Sequence, residues 1–148
     1  MNADLTKGAE EWKKYVLEKN TLIETGVNRS YKSSVGDFAE WLVANYYKVS
    51  LPENKSEEGY DVEASNMKIQ VKSIAKMKGN TNGYKISEKD KNNNIASHFA
   101  FVYFENLIPK EIYLTPVNYV TEFNKTQIKI KDLRETDYKL EVDLEIFE

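Results

Sequence analysis

The stretch that most limits how this chain can fold is SHFAFVYF, residues 97–104. Side chains alternate between the two faces of a strand, so a strand with one wet face shows alternating polarity. From Phe99 to Phe104 there is no such alternation. A β-favouring segment that is apolar on both sides belongs in the middle of a sheet covered on both faces. The rest of the chain must supply those covers. At 148 residues it is long enough for one domain with a real core.

Elements able to cover the sheet are readable on either side. Residues 9–24 read as a helix, with Ala9, Trp12, Val16 and Ile23 at helical spacing. Gly26 follows as a stop within the connector TGVNRSYKSS. A second helix is expected from Ser34 to Tyr47, capped by Ser33 or Ser34. KVSLP reads as a short strand and ENKSEEG as a polar loop. After the apolar strand, EIYLTP reads as another strand and VNYVTEF as a short helix following Pro116. The alternation of Ile128 and Ile130, then Leu140, Val142, Leu144 and Ile146, predicts a terminal hairpin. The expected organisation is a single α/β domain with a mixed sheet flanked by helices. Helices fill 9–47, the core sheet 48–115, and a helix with a β-hairpin 116–148.

Charge and composition remove several functions. The net charge is −3, which argues against a protein that coats nucleic acid through bulk positive charge. Without cysteine there is no thiol nucleophile and no thiolate metal site. A single histidine, His98, rules out a multi-histidine zinc site and reads as a structural, strand-end residue. No apolar run approaches the roughly 20 residues of a membrane span. The N-terminal MNADLTKGAEEWKK lacks the apolar centre of a signal peptide, so a cytoplasmic protein is expected.

Chemistry concentrates in GYDVEASNMKIQVKS, residues 59–73. This reads as two strands joined at Ser65-Asn66. Met67, Ile69 and Val71 point into a core, with Val62 and Ala64, while Lys68, Gln70 and Lys72 point the other way. Paired as a hairpin, Asp61 comes near Gln70 and Lys72, with Glu63 on the same face. One carboxylate, one amide oxygen and the backbone carbonyl of Val71 form an all-oxygen set of the kind Mg²⁺ prefers. A lysine beside it is able to orient a water attacking phosphorus and to stabilise developing negative charge. On the second helix, Val35, Phe38, Ala39, Leu42 and Tyr46 make the apolar stripe. Glu40 falls at its border and Asp37 nearly opposite, where it is expected to be solvated.

The succession GDFAEWL on a helix, then GYDVEA, IQVKS and an apolar strand resembles the PD-(D/E)XK nuclease superfamily, over about Gly36 to Phe104. The family pattern places an aspartate on one strand, acid-x-lysine on the next and a glutamate on a preceding helix. It falls here on Asp61, on Gln70 and Lys72, and on Glu40. Tyr60 stands where the family often has proline. Gln70 stands where an acid is commonest, which resembles the Mrr-like branch and removes one negative ligand. The resemblance implies a restriction-endonuclease-like fold and a Mg²⁺- or Mn²⁺-dependent nuclease. Asp61, Gln70, the Val71 carbonyl and Glu40 would hold the metal, and Lys72 would assist the attacking water.

The implied partner is DNA, with RNA open. A homodimer or a larger restriction, repair or mobile-element system would supply the context. The alternative is a nuclease-like fold that binds nucleic acid or protein without cutting. The polar stretch 76–94 reads as a long surface loop with one helical turn, whose Lys76, Lys78 and Lys85 contact phosphates, with Tyr84 available to stack on a base. Arginine occurs only at Arg29 and Arg134, so bidentate guanine readout has few candidates.

Overall fold

A computed structural model describes residues 3–28, 34–52, 59–77, 80–81 and 83–148. The cap candidate Ser33, the loop over 53–58 and Lys78 lie outside the described residues. A four-strand path in the order β1 (Val62–Ala64), β2 (Met67–Met77), β5 (His98–Glu105), β6 (Ile108–Pro116) forms the sheet, and β3 (Asn80–Thr81) pairs with the far end of β2. Strands β2 and β5 run parallel, and the other pairs are antiparallel. The expected central strand is β5, with every residue from Phe99 to Phe104 buried. No described helix is long and apolar enough to cross a membrane.

Local geometry explains both tight connections. Ser65 and Asn66, between β1 and β2, both have positive φ (50° and 65°). That is the signature of a type I′ turn, whose twist matches a two-residue hairpin. Asn106 and Leu107 make the equivalent turn between β5 and β6, at 49° and 72°. Leucine is an unusual occupant of that region, because its Cβ crowds the backbone there.

Each face of the sheet carries its own cluster. On one, Val62, Ala64, Ile69 and Val71 meet Ala39, Leu42, Val43 and Ala44 of α2 (Ser34–Tyr46). On the other, Ile74, Phe99, Phe101, Tyr103 and Tyr113 meet Ile86, Val120, Ile128, Ile130 and Leu133. This second cover is made of short pieces: β4 (Tyr84–Lys85) paired with β7 (Gln127–Ile128), α4 (Val117–Thr121) and α5 (Ile130–Arg134).

Three sequence expectations need correction. The terminal hairpin does not form: Ile130 and Leu133 lie on one helical turn of α5 and are buried in the second cluster. Residues 138–140 instead run along β6, with Leu114 N–H bonded to the Tyr138 carbonyl and Leu140 N–H to that of Ile112. The alternating Leu140, Val142 and Leu144 then pack on the first cluster, which protects the outer edge of β6. Residues 48–52 form no strand, yet Val49 and Leu51 pack on the first cluster as irregular chain. The first helix, α1, spans Ala3–Glu24 rather than starting near residue 9. Trp12 and Val16 on its expected inner stripe are exposed, 65% and 39%. A tie between α1 and the domain lies in its second half, where buried Lys19 donates to the Asn28 side chain and to the Ser34 hydroxyl.

Candidate nuclease-like site

The β1–β2 hairpin fixes the register of the candidate residues. Val62 pairs with Ile69 and Glu63 with Lys68, which sets Asp61 opposite Gln70. The Asp61 backbone N–H donates to the Ile69 carbonyl at 2.8 Å. β1 begins only at Val62, and the Asp61 side chain takes over where the ladder stops. Its Oδ2 accepts the Val71 N–H at 2.8 Å. In a strand, the N–H and C=O of one residue point to the same side. The Lys68 carbonyl bonds Ser97 of the β5 side, so the odd-numbered residues of β2 present their backbone toward Asp61. The Val71 carbonyl therefore faces the edge where the Asp61 carboxylate stands.

Asp61 is fixed from behind as well. Gly59 has φ +77°, and a Cβ there would lie 2.9 Å from the Ile95 Cβ and 3.3 Å from Asn93 Oδ1. The Asn93 side chain donates to the Gly59 carbonyl at 2.9 Å and accepts the N–H groups of Ile95 and Ala96. This clamp joins the approach to β1 to the segment leading into β5.

Gln70 and Lys72 stand half-buried on the face away from α2. Lys72 meets a partner that sequence reading missed. Its Nζ lies 3.6 Å from Asp90 Oδ1 and 5.3 Å from the centre of the Tyr84 ring. Asp90 belongs to α3 (Glu88–Lys91) and is buried. Its Oδ2 accepts from the Tyr84 hydroxyl and from the Ser87 N–H, the latter at 3.1 Å, while its own N–H returns to Ser87 Oγ. Burial pushes the Asp90 carboxyl upward, but the bonds from Tyr84 and Ser87 and the charge of Lys72 outweigh it and hold Asp90 below its usual range. Burial first, then the Asp90 carboxylate, pushes the Tyr84 hydroxyl well above the usual tyrosine range. At neutral pH this is an ionised aspartate served by a protonated tyrosine.

Among its described residues, the stretch 76–94 folds back onto the sheet and carries the helical turn α3. Tyr84 points inward, edge-on to Phe101, and Ile86 is in the core. Half-buried, Tyr84 hydrogen-bonds Asp90 through its hydroxyl and has Lys72 over its ring. Ser87-x-x-Asp90 is a capping box and was the readable signal for α3 and its buried acid. Lys76 and Lys85 are exposed, on β2 and β4 respectively.

The remaining candidates are arranged as follows. Glu63 is exposed and its carboxylate accepts from the Tyr60 hydroxyl at 3.4 Å, with Lys68 5.3 Å above the Tyr60 ring. Glu40 is 9% exposed on α2, which covers the opposite face of the sheet from Gln70 and Lys72. Asp37 is fully buried, not solvated. Ser34, one turn earlier, accepts from Lys19 and from Asn28. His98 opens β5 half-buried, its Nδ1 2.9 Å from Ser97 Oγ, as a strand-end residue. Burial lowers its pKa. Arg134 is bound to Glu111 at 2.6 Å.

Among the described residues no three His, Cys, Asp or Glu side chains gather as a metal cluster. The oxygen-bearing candidates at the hairpin edge are of another kind: the Asp61 carboxylate, the Val71 carbonyl on the same side of the strand and, opposite Asp61 in the backbone register, Gln70. These hard oxygens suit Mg²⁺, which keeps much of its own water and needs few protein ligands. Compared with known proteins, the chain matches no family model and no curated protein sequence.

Proposed function

We propose that this protein is a divalent-metal-dependent nuclease of restriction-endonuclease-like fold that hydrolyses phosphodiester bonds in DNA. The observation that carries the reading is the bond from the Val71 N–H to Asp61. That bond supports the reading because it holds a carboxylate beside the main chain of Val71, on the strand that carries Gln70 and, two residues later, Lys72. Bound there, Mg²⁺ or Mn²⁺ would neutralise phosphate charge and acidify water. Asp61 and Gln70 orient the site, with the Val71 carbonyl as third donor. The Lys72 ammonium, always a donor, is directed at the phosphoryl oxygens as negative charge develops or at the water that attacks phosphorus. Exposed Lys76 and Lys85 serve the flanking phosphates, each contributing about one unit to the salt dependence of binding. Glu40 and Glu63 are auxiliary acids in this reading.

The test is incubation of the purified protein with plasmid, linear and branched DNA in Mg²⁺, in Mn²⁺ and in chelator. Cleavage with metal and none with chelator supports the reading. DNA binding without cleavage in either metal assigns the fold to a binding module instead.

A further inference from the structure

Lysine is a poor catalyst when left to itself. Its ammonium ends a flexible four-carbon stem, and a misplacement of about 1 Å costs a reaction about a hundredfold. Something must hold Lys72 without consuming it. The Tyr84–Ser87–Asp90 assembly meets both conditions. Two donors secure Asp90 Oδ2, which leaves Oδ1 for Lys72. The 3.6 Å separation is that of an ion pair, longer than a hydrogen bond. Asp90 thus restrains the ammonium by charge without a close hydrogen bond that would tie it up. The Tyr84 ring, 5.3 Å from Nζ, adds a second contact to the ammonium. Burying an acid on a sheet face otherwise packed with aromatic side chains is costly unless it is paired and hydrogen-bonded, as Asp90 is by Lys72, Tyr84 and Ser87.

We infer that Asp90 is a positioning residue for Lys72, itself held in place by Tyr84 and Ser87. The inference rests on the nuclease reading and adds to it a residue that lies outside the Asp-Gln-x-Lys motif.

The experiment pairs two readouts on wild type, Asp90→Asn and Tyr84→Phe: cleavage kinetics in Mn²⁺, and the ¹H–¹⁵N signal of the Lys72 ammonium, identified by its loss in Lys72→Met. In wild type the signal is expected to be protected from solvent exchange. Asp90→Asn keeps the helix cap but removes the charge. It is expected to abolish that protection and to lower kcat about 10- to 100-fold with KM changed less than about twofold. In the Lys72→Met background the same change is expected to cost nothing further. If Asp90→Asn does not fold, Tyr84→Phe is to lower kcat severalfold in the same pattern. An unchanged ammonium signal, or an unchanged kcat in an active enzyme, overturns the inference and leaves the nuclease reading standing. A wild type that cuts no DNA in either metal overturns both.

Discussion

The Asp61 carboxylate accepts the backbone N–H of Val71, 2.8 Å away across the β1–β2 hairpin. One bond thereby continues the ladder past the end of β1 and sets an anionic oxygen beside a main-chain carbonyl. Structure and proposed chemistry depend on different properties of the same side chain. Asp61→Asn keeps an acceptor and removes the charge, so stability is expected to hold within about 0.5 kcal/mol. Mn²⁺ affinity measured by calorimetric titration is expected to fall at least tenfold. Asp61→Ala also strands the N–H and is expected to cost about 1–3 kcal/mol in urea unfolding. Equal Mn²⁺ affinity in wild type and Asp61→Asn would remove Asp61 from any metal site.

Gly59 tests the clamp behind Asp61. Its φ of +77° and the close Ile95 Cβ both oppose a side chain. Gly59→Ala is expected to destabilise by about 1–2 kcal/mol. It should also weaken Mn²⁺ binding, because the approach to Asp61 must shift. Gly26, at φ +81° with nothing within 4 Å of where a Cβ would stand, provides the comparison. Gly26→Ala is expected to show the backbone cost alone and to bind Mn²⁺ as wild type does.

Leu107 should be improvable. It is 59% exposed and sits at φ 72° in the β5–β6 turn. Leu107→Gly relieves a left-handed conformation that costs a non-glycine residue about 1–2 kcal/mol, partly offset by glycine's freedom in the unfolded chain. A gain of about 0.5–1 kcal/mol is expected in thermal or urea unfolding, with no change in metal binding. A loss of stability would mean that the leucine side chain holds the turn.

Acid should weaken the fold through Glu111. Burial pushes its carboxyl up, but hydrogen bonds from Arg134 and Tyr113 and the Arg134 charge prevail and hold it below the usual range. A carboxyl depressed in the fold contributes stability that is present above its unfolded pKa, about 4.3, and lost as pH falls through the lower folded value. Asp90 acts in the same sense. The Tm is expected to decline as pH falls below about 4.3. In Glu111→Gln that decline should be shallower, starting from a lower Tm at neutral pH. Parallel Tm profiles for the two proteins would show that Glu111 carries no such linkage.

The parts of this fold that can be read from sequence are those where one physical pattern dominates. The apolar run into β5 had no other outcome than the middle of the sheet, and Ser65-Asn66 marked a turn between two phased strands. The tail misleads because alternation shows only that extended chain lies on a core. Leu140, Val142 and Leu144 do so beside β6 with little pairing of their own, while Ile130 and Leu133 satisfy a helical spacing just as well. At the site, Asp61 and the Gln70–Lys72 face follow from strand phase. Asp90 was hidden in a polar stretch because its burial depends on Tyr84 and Ile86 folding back onto the sheet, a tertiary event that its own neighbours only hint at through the Ser87 capping box.

Lys72 bears most of the proposed chemistry. The direct measurement is single-turnover cleavage of plasmid DNA by wild type and Lys72→Met, side by side in Mg²⁺ and Mn²⁺, with folding of both verified by thermal melts. Loss of the lysine charge leaves buried Asp90 with Tyr84 and Ser87 alone, so a modest fall in Tm is expected. Metal-dependent cutting by wild type is predicted, with a rate at least a hundredfold lower in Lys72→Met, about 2.7 kcal/mol in the barrier. Equal rates in the two proteins would contradict the central role given to Lys72.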